Sequence, residues 1–165
     1  MILARKFTLF LSFVGCVFAA NALTTRYGFV PVGFGFSATA GTYAAGLSFG
    51  VRDALQEASS VRVVVLAIIV GAAASALVSP QLALASGAAF LISEAADLAV
   101  YTPLRRRRWT LAVVASNVVG ALVDTALFLQ LAGFPIRSAV AGQMVGKTLM
   151  VIPALGIVWI VKRRR

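Results

Sequence analysis

The sequence predicts an all-α integral membrane protein of six transmembrane helices, forming one domain over residues 1–165. Three observations predict it. Hydrophobic residues make up 61% of the chain, and only a bilayer has a use for that much apolar surface. Six runs each approach the ~20 largely apolar residues that a spanning helix needs. The basic residues fall on alternate connections between those runs, which is how a membrane chain sets its orientation.

The first run, Phe7–Leu23, follows Arg5 and Lys6. The same stretch, with Ala20-x-Ala22 at its end, also fits a cleaved signal peptide, which would leave five spans. A retained first helix is the plainer reading. "TTRYGFVPVG" separates it from the second run, Gly33–Val51. The third, Val61–Ser79, stops at Ser79-Pro80, and the fourth is Leu82–Leu104. "RRRR" at Arg105–Arg108 leads into the fifth, Trp109–Leu131, which "GFPIR" closes before the sixth, Ser138–Val161.

With alternating spans, Arg5, Lys6, Arg52, Arg62, Arg105–Arg108 and Lys162–Arg165 share one side, while Arg26 and Arg137 take the other. Both termini are therefore expected in the cytoplasm of a multi-pass protein of the cell membrane. The net charge of +10 sits in these short clusters, so it marks orientation and not nucleic-acid binding. The chain has no His and only Cys16, which excludes imidazole catalysis, His-ligated metal and an intrachain disulfide. No cofactor or metal site is expected.

"AGQMVGKT", Ala141–Thr148, fits a loose phosphate-binding loop in which Ala replaces the first Gly. Such a loop needs a strand before it and a helix N-terminus at the phosphates. Here the motif runs into an apolar span. Lys147 lies ten residues after Arg137, about 15 Å along a helix. It is an intramembrane cation. Gly142 and Gly146 let a neighbouring helix approach, and Gly46-x-x-x-Gly50 is a candidate dimer contact.

Charge at membrane depth faces protein and finds a partner. Asp124, nine residues before Gly133, lies about 14 Å from the outer face, level with Lys147. The two pair if the fifth and sixth helices are neighbours. Glu94, Asp97 and Tyr101 share one face of the fourth helix by their i, i+3, i+7 spacing. Asn117 and Asp124, seven apart, share a face of the fifth. Asp53 and Glu57, with Arg52 and Gln56 beside them, end the second span; they read as headgroup contacts or as a gate. Glu94, Asp97 and Asp124 then face the single Lys147. Such an excess of acid suits a ligand rich in N–H donors, a cationic ligand or a carried proton. The reading is a solute-binding cavity built on Glu94, Asp97, Asn117, Asp124 and Lys147.

At these residues the chain resembles the queuosine-precursor transporters, or VUT (vitamin uptake transporter) family. The resemblance runs from about Phe34 through "FGFSATAGTYAAGLSFGVRDALQE", "DLAVYTPLRRRRWTLAVVASNVVGALVDTALF" and "GKTLMVIPALGIVWIVKRR". In that family an acid closes span two, an Asp precedes a basic loop in span four, an S-x(5–7)-D-T unit lies in span five, and a Lys begins the last span. Asp53, Asp97, Asp124-Thr125 and Lys147 occupy those places. The resemblance implies six helices arranged as in the small substrate-binding subunits of vitamin importers. It implies uptake of 7-deazaguanine bases, the cyano- and aminomethyl-substituted precursors of the tRNA nucleoside queuosine. Asp97 or Asp124 would accept adjacent ring and amino N–H groups, Asn117 would read another edge, and Lys147 would polarise a carbonyl. Phe36, Phe90 or Phe128 would stack on the ring.

The chain carries no ATPase machinery, so a secondary carrier or facilitator of a small heterocycle is the leading reading, with a homodimer or an energising partner left open. Glu94 and Asp97 as the acid and base of an intramembrane enzyme is a second reading, but no nucleophile–base pair accompanies them. In a third, the chain is a structural or assembly subunit whose buried charges only join helices.

Overall fold

The computed structural model describes residues 2–104 and 107–150, with Pro153 and Gly156. Helix α1 (Ile2–Tyr27) leads into a hairpin of β1 (Phe29–Gly33) and β2 (Phe36–Thr39). Five further helices follow: α2 (Thr42–Ala58), α3 (Val61–Ala76), α4 (Pro80–Leu104), α5 (Trp109–Leu131) and α6 (Ile136–Leu149). The far end of the sixth expected span, up to Val161, and the basic residues Arg105, Arg106 and Lys162–Arg165 lie outside the described residues.

Among the described residues, three helical stretches are long and apolar enough to cross a membrane: Leu3–Tyr27, Pro80–Tyr101 and Val114–Leu131. Val61–Ala76 is equally apolar but shorter. Their outward faces carry Leu66, Ile69, Leu84, Ile92, Val114 and Leu122, all exposed, as helices solvated by acyl chains require.

The second expected span is corrected. Gly33–Val51 is not one helix: its first half completes an antiparallel hairpin, in which Phe29 pairs with Thr39, Val30 with Ala38 and Gly33 with Phe36. The chain is therefore mostly helical but not all-α. The two residues between Gly33 and Phe36 explain the turn. Phe34 and Gly35 have φ of 54° and 77°, and positive φ at both central positions gives the tight connection that matches strand twist. Gly35 adopts it freely, whereas Phe34 is held there at a cost.

A hairpin among membrane helices needs protein around its backbone, since lipid offers no hydrogen bonds. Helix α6 provides that cover by packing on β2, and it also contacts α2 and α5. The approach is close enough that a Cβ on Gly142 would overlap the carbonyl of Ser37. Gly142 thus admits a strand, where the sequence pointed to a helix. Gly46 is committed within the chain as well: a Cβ there would stand 2.9 Å from Cα of Lys147. It serves the α2–α6 contact.

Two apolar clusters hold the remaining helices. Phe13, Leu55, Val64, Ile68 and Phe90 join α1 to α4, and Leu82, Ala89, Phe128, Leu129 and Ala139 join α4, α5 and α6. Aromatic edges fix the first cluster: Phe90 stacks on Phe49 at 5.1 Å and meets Phe13 edge-on at 5.4 Å. Polar side chains that remain inside this shell define the candidate site.

Candidate functional site

Gln143 and Lys147 are four residues apart on α6 and so share one face. Gly142 and Gly146 lie beside them and bring β2 and α2 against that face. Lys147, 4% exposed, donates from Nζ to Asp124 Oδ2 at 2.6 Å and to Thr125 Oγ1 at 2.7 Å. Thr125 Oγ1 lies 3.8 Å from Met144 Sδ, to which it donates. The ammonium also stands 5.8 Å from the centroid of the Phe49 ring, within the range of a cation–π attraction. Helices α5 and α6 are neighbours, so the condition set by the matching depths of Asp124 and Lys147 is met.

Gln143 is buried and donates from Nε2 to Thr39 Oγ1 at 2.9 Å; Thr39 Oγ1 is 3.2 Å from Thr42 Oγ1. The end of the hairpin, the start of α2 and the middle of α6 are thereby tied together by side chains. Next to them, Thr24 Oγ1 accepts a hydrogen bond from the Gly41 N–H at 3.2 Å. Asn21 donates to Ser86 Oγ at 2.8 Å.

Several of these groups line a cavity of about 50 Å³. Asp124, Lys147, Gln143, Thr39, Thr24, Ser48 and Ser86 give it polar edges; Val17, Ile68, Phe90 and Phe128 give it apolar walls. Common ligand pockets hold ~300–1,000 Å³. A bicyclic heterocycle therefore enters only when the hairpin or a helix moves outward. Phe90 and Phe128 stand at this cavity, whereas Phe36 lies on the hairpin, 41% exposed, and is not among its lining residues.

A second charged centre lies further along α2. Arg52, which the sequence placed beside headgroups, is buried at 3% exposure. Its Nη1 is 3.0 Å from Asp53 Oδ1 and 3.7 Å from Asp97 Oδ2. It donates from Nη1 to Glu94 Oε1 at 3.2 Å, and Nε stands 3.0 Å from Glu94 Oε2. The last contact is close but poorly angled, since neither atom gains a hydrogen bond from it. Ser93 Oγ turns back to the Phe90 carbonyl at 2.9 Å.

The expected ratio of acid to base is thus corrected. Lys147 faces Asp124 alone, and Glu94 and Asp97 face Arg52 together with Asp53. The excess of acid survives, but it surrounds the guanidinium and not the ammonium. Neither Glu94 nor Asp97 lines the cavity. Asn117 is part-buried on α5, one turn before Gly120, where an added Cβ would sit 3.4 Å from Cβ of Asp97. Its place is at the α4–α5 seam beside the second centre. Glu57 is part-buried in the last turn of α2, beyond Asp53. Gly120 and Asp124 are one turn apart on α5, so the two centres are neighbours along one column.

Sequence reasoning passed over Gln143, Thr39 and Thr42, and misjudged Arg52. The spacing of Gln143 from Lys147 was a usable signal. Nothing local marks the two threonines, because their partners lie across the fold.

The arrangement can exchange hydrogen-bond partners. A solute presenting N–H groups can take the place of Lys147 at Asp124, and a solute oxygen can take the ammonium.

A family model described as "Putative vitamin uptake transporter" matches residues 10–161. No curated protein and no solved structure matches the chain.

Proposed function

The chain belongs to this vitamin uptake transporter family, and from that premise we propose that it carries 7-deazaguanine bases, the precursors of queuosine, across the cytoplasmic membrane. The observation that supports the reading is the Asp124–Lys147 pair at the edge of a cavity with two phenylalanines in its walls. A guanine-like base offers adjacent N–H donors on one edge and a carbonyl beside them. Asp124 accepts the donors, Lys147 turns to the carbonyl, Gln143 reads a further edge, and Phe90 or Phe128 covers the ring.

The pair matters because neither partner is left uncompensated at any stage. Opening the ion pair inside a bilayer without a substitute is costly. A solute that supplies both a donor and an acceptor removes that cost, while one lacking either group is refused. The closed cavity is then the state between loads. In this scheme the hairpin end at Thr39 and the Arg52 centre, with Asp53 and Glu57 beyond it, bound the cavity on its two sides and part alternately. Both termini lie in the cytoplasm.

The test is restoration of queuosine-modified tRNA in cells blocked in its synthesis, given this chain and one precursor at a time. Restoration by the cyano- or aminomethyl-substituted base is expected. Lack of restoration by any precursor, with the protein present in the membrane, removes the substrate class.

One observation favours a second reading. Lys147 already donates to both Asp124 and Thr125, as a purely structural clamp between α5 and α6 would. Under that reading, exchanging the charges of the pair preserves uptake as well as folding.

A further inference from the structure

Away from the polar column, a groove of about 450 Å³ opens between the start of α1 and the corner where α2 turns into α3. We propose that this groove is a binding site for one anionic phospholipid. Its walls are apolar: Leu3, Phe7 and Phe10 from α1 and Val63 from α3. Leu3 and Phe7 are 80% and 62% exposed, so the wall needs a hydrocarbon neighbour. One end is polar, formed by Lys6, Ser59 and Ser60.

Charge decides which lipid fits. Arg5 precedes Lys6, and Arg62 stands exposed in the first turn of α3. Neither α1 nor α3 has an acidic residue in its first turn. Glu57, near the end of α2, is the carboxylate nearest in sequence to the corner and is not among the groove's lining residues. Ser60 caps α3 without a side-chain capping bond, and Ser59 donates to the Leu55 carbonyl at 2.5 Å, which leaves its oxygen able to accept. A phosphodiester with one formal negative charge meets an ammonium and hydroxyl groups at this end. A zwitterionic choline headgroup would bring a second cation into a basic corner. The acyl chain lies along Leu3, Phe7, Phe10 and Val63, so a free phosphate satisfies only one end.

Such a lipid ties the beginning of α1 to the α2–α3 corner. The groove's lining shares no residue with the cavity.

The experiment uses the full chain in dodecyl maltoside with dioleoyl phosphatidylglycerol or dioleoyl phosphatidylcholine, whose acyl chains are identical. Bound lipid is counted by native mass spectrometry. Phosphatidylglycerol is expected to bind about five-fold more tightly, the contribution of one basic side chain at a membrane surface. Lys6→Gln removes the preference and Lys6→Arg retains it. A photoactivatable phosphatidylglycerol on the unaltered protein labels residues 3–10 and 59–63, which needs no variant to fold. Equal binding of the two lipids, labelling elsewhere, or displacement by excess inorganic phosphate overturns the proposal.

Discussion

Arg52 Nε stands 3.0 Å from Glu94 Oε2, and this contact brings the last third of α2 against the middle of α4. Both side chains are more than nine-tenths buried. With Asp97 at 3.7 Å and Asp53 at 3.0 Å, one guanidinium stands against three carboxylates. Removing it takes the facing cation from the two buried ones, Glu94 and Asp97. Arg52→Met is expected to cost about 3–5 kcal/mol of stability, the range for breaking a buried pair from one side. Arg52→Lys recovers only part, because an ammonium lacks the fork that spans several carboxylates. Thermal unfolding in detergent measures both, and adding Glu94→Met to Arg52→Met should return some of the loss.

Asp124 and Lys147 allow a sharper separation of transport from folding. Asp124→Asn keeps the shape and a hydrogen-bond acceptor but removes the charge. Losing a charged hydrogen bond of about 1.5–3 kcal/mol predicts that uptake falls roughly 10- to 150-fold. Exchanging the two, Asp124→Lys with Lys147→Asp, preserves an ion pair and should preserve folded yield. It reverses the polarity offered to a solute, so uptake stays lost. If the exchanged protein transports normally, the pair is only a clamp.

The fifth helix and the pairing of Asp124 with Lys147 were legible because both follow from local spacing. Trp109–Leu131 reads directly as a helix, and the structure has α5 at those bounds. Counting residues from the span ends placed Asp124 level with Lys147, since helix rise is constant. The hairpin was not legible from apolar content alone. "GFGFSATAG" is as apolar as a helix start, and the decisive facts are the signs of φ at Phe34 and Gly35. Arg52 was misread for a different reason. A charge near the end of a span is ordinarily solvated, and only the packing of α2 on α4 reveals that this one turns inward. Asp53 next to it is 30% exposed, so a single residue step separates the two environments.

Gln143 tests whether the hairpin closes the cavity. Its amide is a side-chain bond from α6 to Thr39, and once it is gone the Thr39 hydroxyl still has that of Thr42 beside it. Gln143→Leu is expected to cost about 1–3 kcal/mol, as for a buried polar partner lost. Hydrogen exchange at residues 36–39 should quicken, with the helical amides of α5 unchanged. Unchanged exchange in the hairpin would mean that backbone packing alone holds it.

That packing has its own test in Gly142. Helix α6 reaches β2 only because no side chain stands between them, and an added Cβ would meet the Ser37 carbonyl and the Ala38 nitrogen. These are backbone atoms, which cannot rotate aside as a side chain would. Gly142→Ala must therefore push the hairpin away, open the Gln143–Thr39 bond and enlarge the cavity. An overpacked site commonly loses about 1–3 kcal/mol. The helix-propensity gain of about 1 kcal/mol for Gly→Ala works in the opposite direction and must be separated out. Gly15→Ala does this, since Gly15 is also inside a helix but an added Cβ meets nothing within 4 Å. Gly15→Ala should raise the unfolding temperature and Gly142→Ala lower it. If both raise it, the strand yields without cost and the hairpin is not held by α6.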